Sequence, residues 1–126
     1  MNTLLIGDIH PEAEAILKEN VPLHKVLREA FPLKEANADI QSIVLRTFTP
    51  LKKEELEKLP SLKYVVSCSV GLDNLDLDEL QRRKIELIHC PGSNANSVAE
   101  HTLYLLFSLL RKNTPFPELK GKTIGI

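Results

Sequence analysis

Apolar residues in this chain gather into short unbroken runs, and the stretches between them have helical character. Residues 3–7 (TLLIG), 42–46 (SIVLR), 63–70 (KYVVSCSV) and 85–89 (IELIH) are such runs, the third rich in β-branched side chains. A strand covered on both faces is continuously apolar, whereas a half-solvated one alternates, so these runs predict strands of a parallel sheet. Residues 11–20 (PEAEAILKEN) carry an early proline, early glutamates and a late lysine, the order a helix dipole favours. Residues 52–59 (KKEELEKL) have strong helix propensity and are closed by Pro60. Residues 76–84 (DLDELQRRK) open on a capping aspartate and end on basic residues. The longest predicted helix is 96–112, and 122–126 (KTIGI) predicts a further strand. Between 21 and 41, Pro22 and Pro32 interrupt the pattern; a strand over 23–27 and a helix over 33–38 are the expectations there.

Strands alternating with helices imply an α/β layer sandwich, doubly wound through right-handed crossovers. Ligands in such folds bind beyond the carboxyl ends of the strands. The loops after Gly7, Arg46, Val70 and Cys90 are therefore expected on one rim, with the turns at 70–71 and 91–96 the most unusual in composition.

Composition narrows the class. The 126 residues are 43% hydrophobic and 26% charged, enough apolar content for one packed core and too much for a disordered chain. Sixteen basic residues against seventeen acidic ones leave a net charge of −1, which gives no electrostatic support for nucleic-acid binding. No apolar run reaches the roughly 18 residues a membrane span needs. The opening MNTLLIGDIH has no basic start and meets Asp8 at once, unlike a secretory signal, so a cytoplasmic location with reduced thiols is expected. Cys68, Cys90 and the four histidines show no metal-ligand spacing, and no metal site is expected. The two cysteines, each closing a strand run, are expected to be small buried apolar residues.

Three places could carry chemistry. Gly71 sits at a strand-to-helix turn, where it can adopt backbone geometry closed to other residues and let a ligand reach main-chain N–H groups, forming a site for a carboxylate or phosphate; the alternative is a plain turn. At 91–101 (PGSNANSVAEH), Asn96 or Ser97 is expected to cap the long helix with Glu100 as its reciprocal partner, and Asn94 offers both a donor and an acceptor to a bound molecule. Arg46 is the charged residue ending an apolar strand, placed to meet an anion at the rim or to form a surface ion pair. His101 lies inside a helix beside an acid with no nucleophile near it in sequence, which argues against general acid catalysis. From Val98 to Leu110 the long helix is apolar on most sides, more than a domain of this size covers by itself; a second domain or another subunit is expected against it.

The stretch SVGLDNLDLDELQRRKIELIHCPGSNANSVAEHTLYLLFSLLR, residues 69–111, resembles the core of the substrate-binding domain of the D-isomer-specific 2-hydroxyacid dehydrogenases. The elements V-G-x-D-N-x-D, P-G-x-N and S-V-A-E-H-T occur in the family's order and spacing; together they are highly specific, and singly each is weak. The resemblance implies a flavodoxin-like three-layer α/β/α fold over residues 1–112. It makes 113–126 a linker and the first strand of a truncated NAD-binding domain. It implies an oxidoreductase that uses NAD, with NADP equally compatible, on a small 2-hydroxy or 2-oxo acid. No G-x-G-x-x-G occurs in the 126 residues, and the family's catalytic residues belong to its second domain. No catalytic residue is therefore assigned, no tight cofactor binding is expected, and the chain alone is expected to be inactive.

Residue by residue, Val70 and Gly71 match the turn whose N–H groups hold the substrate carboxylate. Val70 also matches a position near the nicotinamide, Asn94 a substrate contact, and Ala95 a position beside the cofactor. Arg46 matches an arginine that phosphoglycerate-type members place near the substrate's anionic group, although Thr47-Phe48 departs from the small-residue loop of that type. The resemblance implies the missing NAD-binding domain as a partner, and the apolar helix over 96–112 predicts a second copy of the chain. A non-catalytic module that binds a small anion or a partner at the same rim is the alternative from another class. A flavin-binding protein is disfavoured because Asp8-Ile9-His10 lacks a hydroxyl-rich phosphate turn.

Overall fold

The computed structural model describes the chain except residues 28–32, 34–35, 47–48, 114–120, 122 and 124–126. It forms two compact units, Met1–Pro91 and Gly92–Ile126.

The first unit is a five-stranded, wholly parallel sheet. Its strands are β1 (Asn2–Ile6), β2 (Leu23–Val26), β3 (Ile40–Leu45), β4 (Tyr64–Ser67) and β5 (Glu86–His89), arranged in the order β2-β1-β3-β4-β5. Helices α1 (Pro11–Asn20), α2 (Lys53–Glu57) and α3 (Leu77–Arg82) form the crossovers. This is the flavodoxin strand order, which reverses direction between β1 and β3. With right-handed crossovers, the reversal puts α1 on the face opposite α2 and α3.

In-register pairing makes the apolar runs work as layers. Leu4 stands beside Ile43, Ile43 beside Val65 and Val65 beside Leu87. Since side chains alternate along each strand, Ile6 and Leu45 join this face. Leu56 and Leu59 from the α2 region and Leu80 from α3 close over it, all at most 2% exposed. The opposite face carries the buried pair Thr3 Oγ1 and Ser42 Oγ, 2.6 Å apart, together with Leu5 and Val44.

Helix ends follow local chemistry. His10 Nδ1 caps α1 by accepting from the Glu12 N–H at 3.4 Å, and Pro11 occupies the first turn, where a missing N–H costs nothing. Asp76 caps α3 by accepting from the Glu79 N–H at 3.0 Å, as the sequence predicts. The uncertain stretch resolves as a strand at Leu23–Val26. Of the helix expected over 33–38, the described residues are not helical, and residues 34–35 lie outside the description. The strand expected at 122–126 likewise falls almost wholly outside the described residues.

In the second unit, α4 (Ala95–Asn113) starts earlier than predicted. Gly92, at φ +72°, turns the chain sharply enough for Ala95 N–H to donate to the Gly92 carbonyl at 3.1 Å, and Val98 N–H donates to the Asn94 carbonyl at 2.9 Å. Asn94 therefore holds the cap position, while Asn96 and Ser97 lie within the first turn, so the expected Ser97–Glu100 capping box does not open this helix. Val98, Leu103, Tyr104, Leu105, Phe107 and Leu109 of α4 are all exposed. Among the described residues no helix is long and apolar enough to cross a membrane.

Candidate functional site

Because every strand runs the same way, the carboxyl ends of β1, β3, β4 and β5 share one edge of the sheet. A cavity of about 540 Å³ lies there, lined by Asp8, Ile9, His10, Ala13, Arg46 and Cys68. Its walls come from the residues just past β1, β3 and β4, which places it at the reversal of strand order where doubly wound folds bind ligands.

Arg46 is exposed and makes no ion pair among the described residues, so the surface-pair alternative finds no support there. His10 adds a second donor. Its Nδ1 accepts from Glu12 N–H, so in the neutral ring the proton sits on Nε2. Asp8 supplies the opposing charge but is held by Lys25 Nζ at 2.8 Å, and the same ammonium reaches Glu14 Oε2 at 2.8 Å. Those two carboxylates, Asp8 first, raise the Lys25 ammonium above its ordinary value, while Lys18 and then Lys25 lower the Glu14 carboxyl.

Past the end of β4 the chain stays in the ladder for one residue more, Cys68 N–H donating to the Leu45 carbonyl at 2.9 Å. The next turn carries Val70 and Gly71. Neither of their N–H groups donates to another group among the described residues, and Val70 is 41% exposed. Gly71 does not adopt a left-handed backbone, and a methyl group added there would meet Asp73 Oδ2 only at 3.5 Å, an ordinary contact. The expected conformational need for glycine is therefore overturned. What glycine does give here is a bare backbone in front of two unpaired donors.

This turn is anchored just downstream. Asn74 Nδ2 donates to the Thr49 carbonyl at 2.7 Å, Leu51 N–H to the Asn74 carbonyl at 2.9 Å and Asp76 N–H to the Leu51 carbonyl at 3.1 Å. Lys52 Nζ adds bonds to the carbonyls of Asp73 at 2.9 Å and Leu75 at 3.0 Å. The D-N-x-D half of the motif is thus the latch that holds the V-G half against the loop after β3.

The structure brings Arg46 and Cys68 together on one cavity, while Val70 and Gly71 follow β4 and do not line it. Asn94 and Ala95 belong to the second unit, where both are exposed in the first turn of α4 or just before it. Sequence reasoning missed Asp8 and His10 as cavity walls, although their place directly after β1 was a usable signal. It also missed Asn74 and Lys52 as anchors, whose partners are carbonyls more than twenty residues away. Cys68 and Cys90 are exposed, against the expectation of burial, because each lies one residue past its strand. His101 is exposed and stacks on Tyr104 with ring centroids 6.0 Å apart. Among the described residues no cluster of His, Cys, Asp or Glu could hold a metal ion.

A wholly parallel sheet in the order β2-β1-β3-β4-β5, with a cavity at the carboxyl ends of its strands, defines the doubly wound class. Residues 3–118 match the family model for the D-isomer specific 2-hydroxyacid dehydrogenase catalytic domain, and the chain belongs to that family. It is 34% identical over 122 residues to an erythronate-4-phosphate dehydrogenase of Shewanella sp. (strain MR-4), a match covering 88% of this chain and 32% of that protein. It is 33% identical over 101 residues to a D-3-phosphoglycerate dehydrogenase of Bacillus subtilis (strain 168), covering 68% of this chain and 19% of the relative. Among solved structures, a D-lactate dehydrogenase from Aquifex aeolicus complexed with NAD and lactic acid superposes with a TM-score of 0.71 at 27% identity, covering 86% of this chain and 34% of that one. The chain thus spans at most about a third of these proteins.

Proposed function

We propose that this chain is the substrate-binding lobe of an NAD(P)-dependent oxidoreductase acting on the CH–OH group of a small 2-hydroxy acid. The observation that carries the reading is the turn after β4, where the N–H groups of Val70 and Gly71 donate to no group among the described residues, together with Arg46 at the end of the adjacent strand β3, which makes no ion pair among them. The N–H pair holds the acid's carboxylate. Arg46, with His10 on the same cavity, takes a second anionic group, and Asn94 is proposed as a substrate contact on its motif match alone. This use of Arg46 accords with the phosphorylated acids in the names of the two relatives above.

Val70 presents an exposed uncharged surface that suits the nicotinamide end of the cofactor, and Ala95 is proposed beside the cofactor on its motif match alone. When bound, that group supplies or accepts the hydride at C2. What this chain contributes is position: fixing a carboxylate and a second anion limits C2 to one orientation, and such constraint accounts for roughly 7–11 kcal/mol of barrier in well-oriented reactions. The 126 residues contain no glycine fingerprint for the cofactor's pyrophosphate, and residues 113–126 are proposed as a linker and the first strand of a nucleotide-binding domain. The lobe by itself turns nothing over.

The test is titration of the purified chain with 2-oxo acids and NADH, by itself and with a separately produced nucleotide-binding domain of a relative. Oxidation of NADH only in the mixture supports the reading. Turnover by the chain alone overturns the inactivity claim, and tight acid binding with no rescue favours a non-catalytic anion-binding module.

A further inference from the structure

Strands β4 and β5 pair in register, with Ser67 opposite His89. Each is followed at once by a cysteine, Cys68 and Cys90, and both thiols are free and exposed. Side chains alternate along a strand, so Cys68 and Cys90 leave the sheet on the same face, the one that carries Val66 and the half-exposed Ile88. The Cys68 backbone is still held in the ladder by its bond to the Leu45 carbonyl at 2.9 Å. Adjacent strands lie roughly 4.8 Å apart. That spacing falls within the roughly 4.4–6.8 Å between Cα atoms that a disulfide spans.

We infer that Cys68 and Cys90 form a reversible modification site, an intramolecular disulfide that ties the end of β4 to the end of β5 when the protein meets a peroxide. In the first step the thiolate sulfur of Cys90 attacks one oxygen of hydrogen peroxide. The O–O bond breaks, an S–O bond forms, and the departing hydroxide takes a proton and leaves as water. In the second step the Cys68 sulfur attacks the Cys90 sulfur, the S–O bond breaks, and a second water leaves. The two thiols lose two electrons and two protons, and one peroxide becomes two waters.

The order follows from the surroundings. Burial and then the neighbouring Cys90 push the Cys68 thiol up, with Arg46 pulling the other way, which makes Cys68 the resolving partner. The bridge would sit two residues before Val70 and beside Arg46, and would stiffen the turn that offers its N–H groups. That consequence rests on the function proposed above; the bridge itself does not.

The experiment treats the full 126-residue chain with hydrogen peroxide and follows titratable thiols and intact mass. The expected result is joint loss of both thiols, a mass lower by two hydrogen atoms, a monomer on a non-reducing gel, a proteolytic fragment joining residues 68 and 90, and full reversal by dithiothreitol. Because the second step is intramolecular, thiol loss should keep its rate on about tenfold dilution of the protein. The Cys68→Ser and Cys90→Ser variants should each show oxygen addition or no change in place of the loss of two hydrogens. Oxygen addition at separate cysteines of the unmodified sequence, bridged dimers, or two unreacted thiols would each overturn the inference. None of these readouts depends on dehydrogenase activity.

Discussion

Replacing Asn74 with alanine, and separately with aspartate, tests whether the turn at 70–71 is held by the bond from Nδ2 to the Thr49 carbonyl. That bond is 2.7 Å long and Thr49 is 3% exposed, so water cannot readily replace the lost donor. Leaving such a carbonyl unpaired costs about 1–3 kcal/mol. The Oδ1 of Asn74 is buried with no partner, so alanine also removes an unsatisfied acceptor and recovers part of that loss. The net expectation for Asn74→Ala is a destabilisation of about 1 kcal/mol, which lowers the melting midpoint by about 4 °C in a chain of this length. Aspartate keeps the shape and changes the chemistry. It sets a carboxylate oxygen against the Thr49 carbonyl at the same short distance. The nearby ammonium of Lys52 is already engaged by the carbonyls of Asp73 and Leu75. An uncompensated, partly buried charge of this kind costs about 3–5 kcal/mol. Thermal unfolding followed by circular dichroism at neutral pH separates the two, with Asn74→Asp well below Asn74→Ala. Equal midpoints for the two variants would refute the short contact with the Thr49 carbonyl, because both lose the Nδ2 donor and only that contact penalises a carboxylate oxygen over a methyl group.

Leu45→Ala empties a wholly buried position in the central strand and should cost about 2–5 kcal/mol in urea unfolding, with the slope unchanged. Arg82 and then Arg83 hold the Glu79 carboxyl down to about 2 from its ordinary 4.5, through bonds of 2.6–2.7 Å. A lowered folded value contributes stability above pH 4.5 that is lost as the pH falls towards about 2. Glu79→Gln should therefore flatten the acid limb of the urea midpoint plotted against pH, and an unchanged limb would remove Glu79 from it. Val70→Asp puts a negative charge where the proposed carboxylate sits and should abolish acid binding in the reconstituted enzyme, while an unchanged KM would remove the turn from the mechanism. The exposed apolar residues of α4 should drive self-association, read as a concentration-dependent mass in sedimentation equilibrium; a monomer at high concentration counts against it.

The sheet was legible because parallel strands advertise themselves. The runs around 3–7, 42–46, 63–70 and 85–89 lie over β1, β3, β4 and β5, and the helix predicted at 11–20 matches α1 residue for residue. Misreadings fell where backbone geometry overrode side-chain preference. Ser97 and Glu100 have the spacing of a capping box, yet the left-handed turn at Gly92 commits the chain to helix sooner and leaves both inside it. The run at 63–70 looks like one strand, but regular pairing stops at Ser67, and after one more bond, from Cys68 N–H to the Leu45 carbonyl, Val70 and Gly71 leave the ladder. That early stop is invisible in hydropathy, and it is what leaves Val70 and Gly71 outside the ladder.

The same contrast explains why the site was only half readable. Residues that would touch a ligand announce themselves through chemistry that makes no structural sense otherwise, such as the arginine closing the apolar strand β3. Residues that position them look ordinary, because their partners are main-chain carbonyls whose identity no side chain records. Asn74 and Lys52 are of this second kind: both bond to carbonyls more than twenty residues away, and these bonds tie the turn at 70–71 to the loop after β3. Within the V-G-x-D-N-x-D element the first two residues leave donors unpaired, the asparagine spans to the neighbouring loop, and the last aspartate caps the next helix. The motif therefore reads as one mechanical unit, in which the exposed donors stay put because the residues after them are fully engaged.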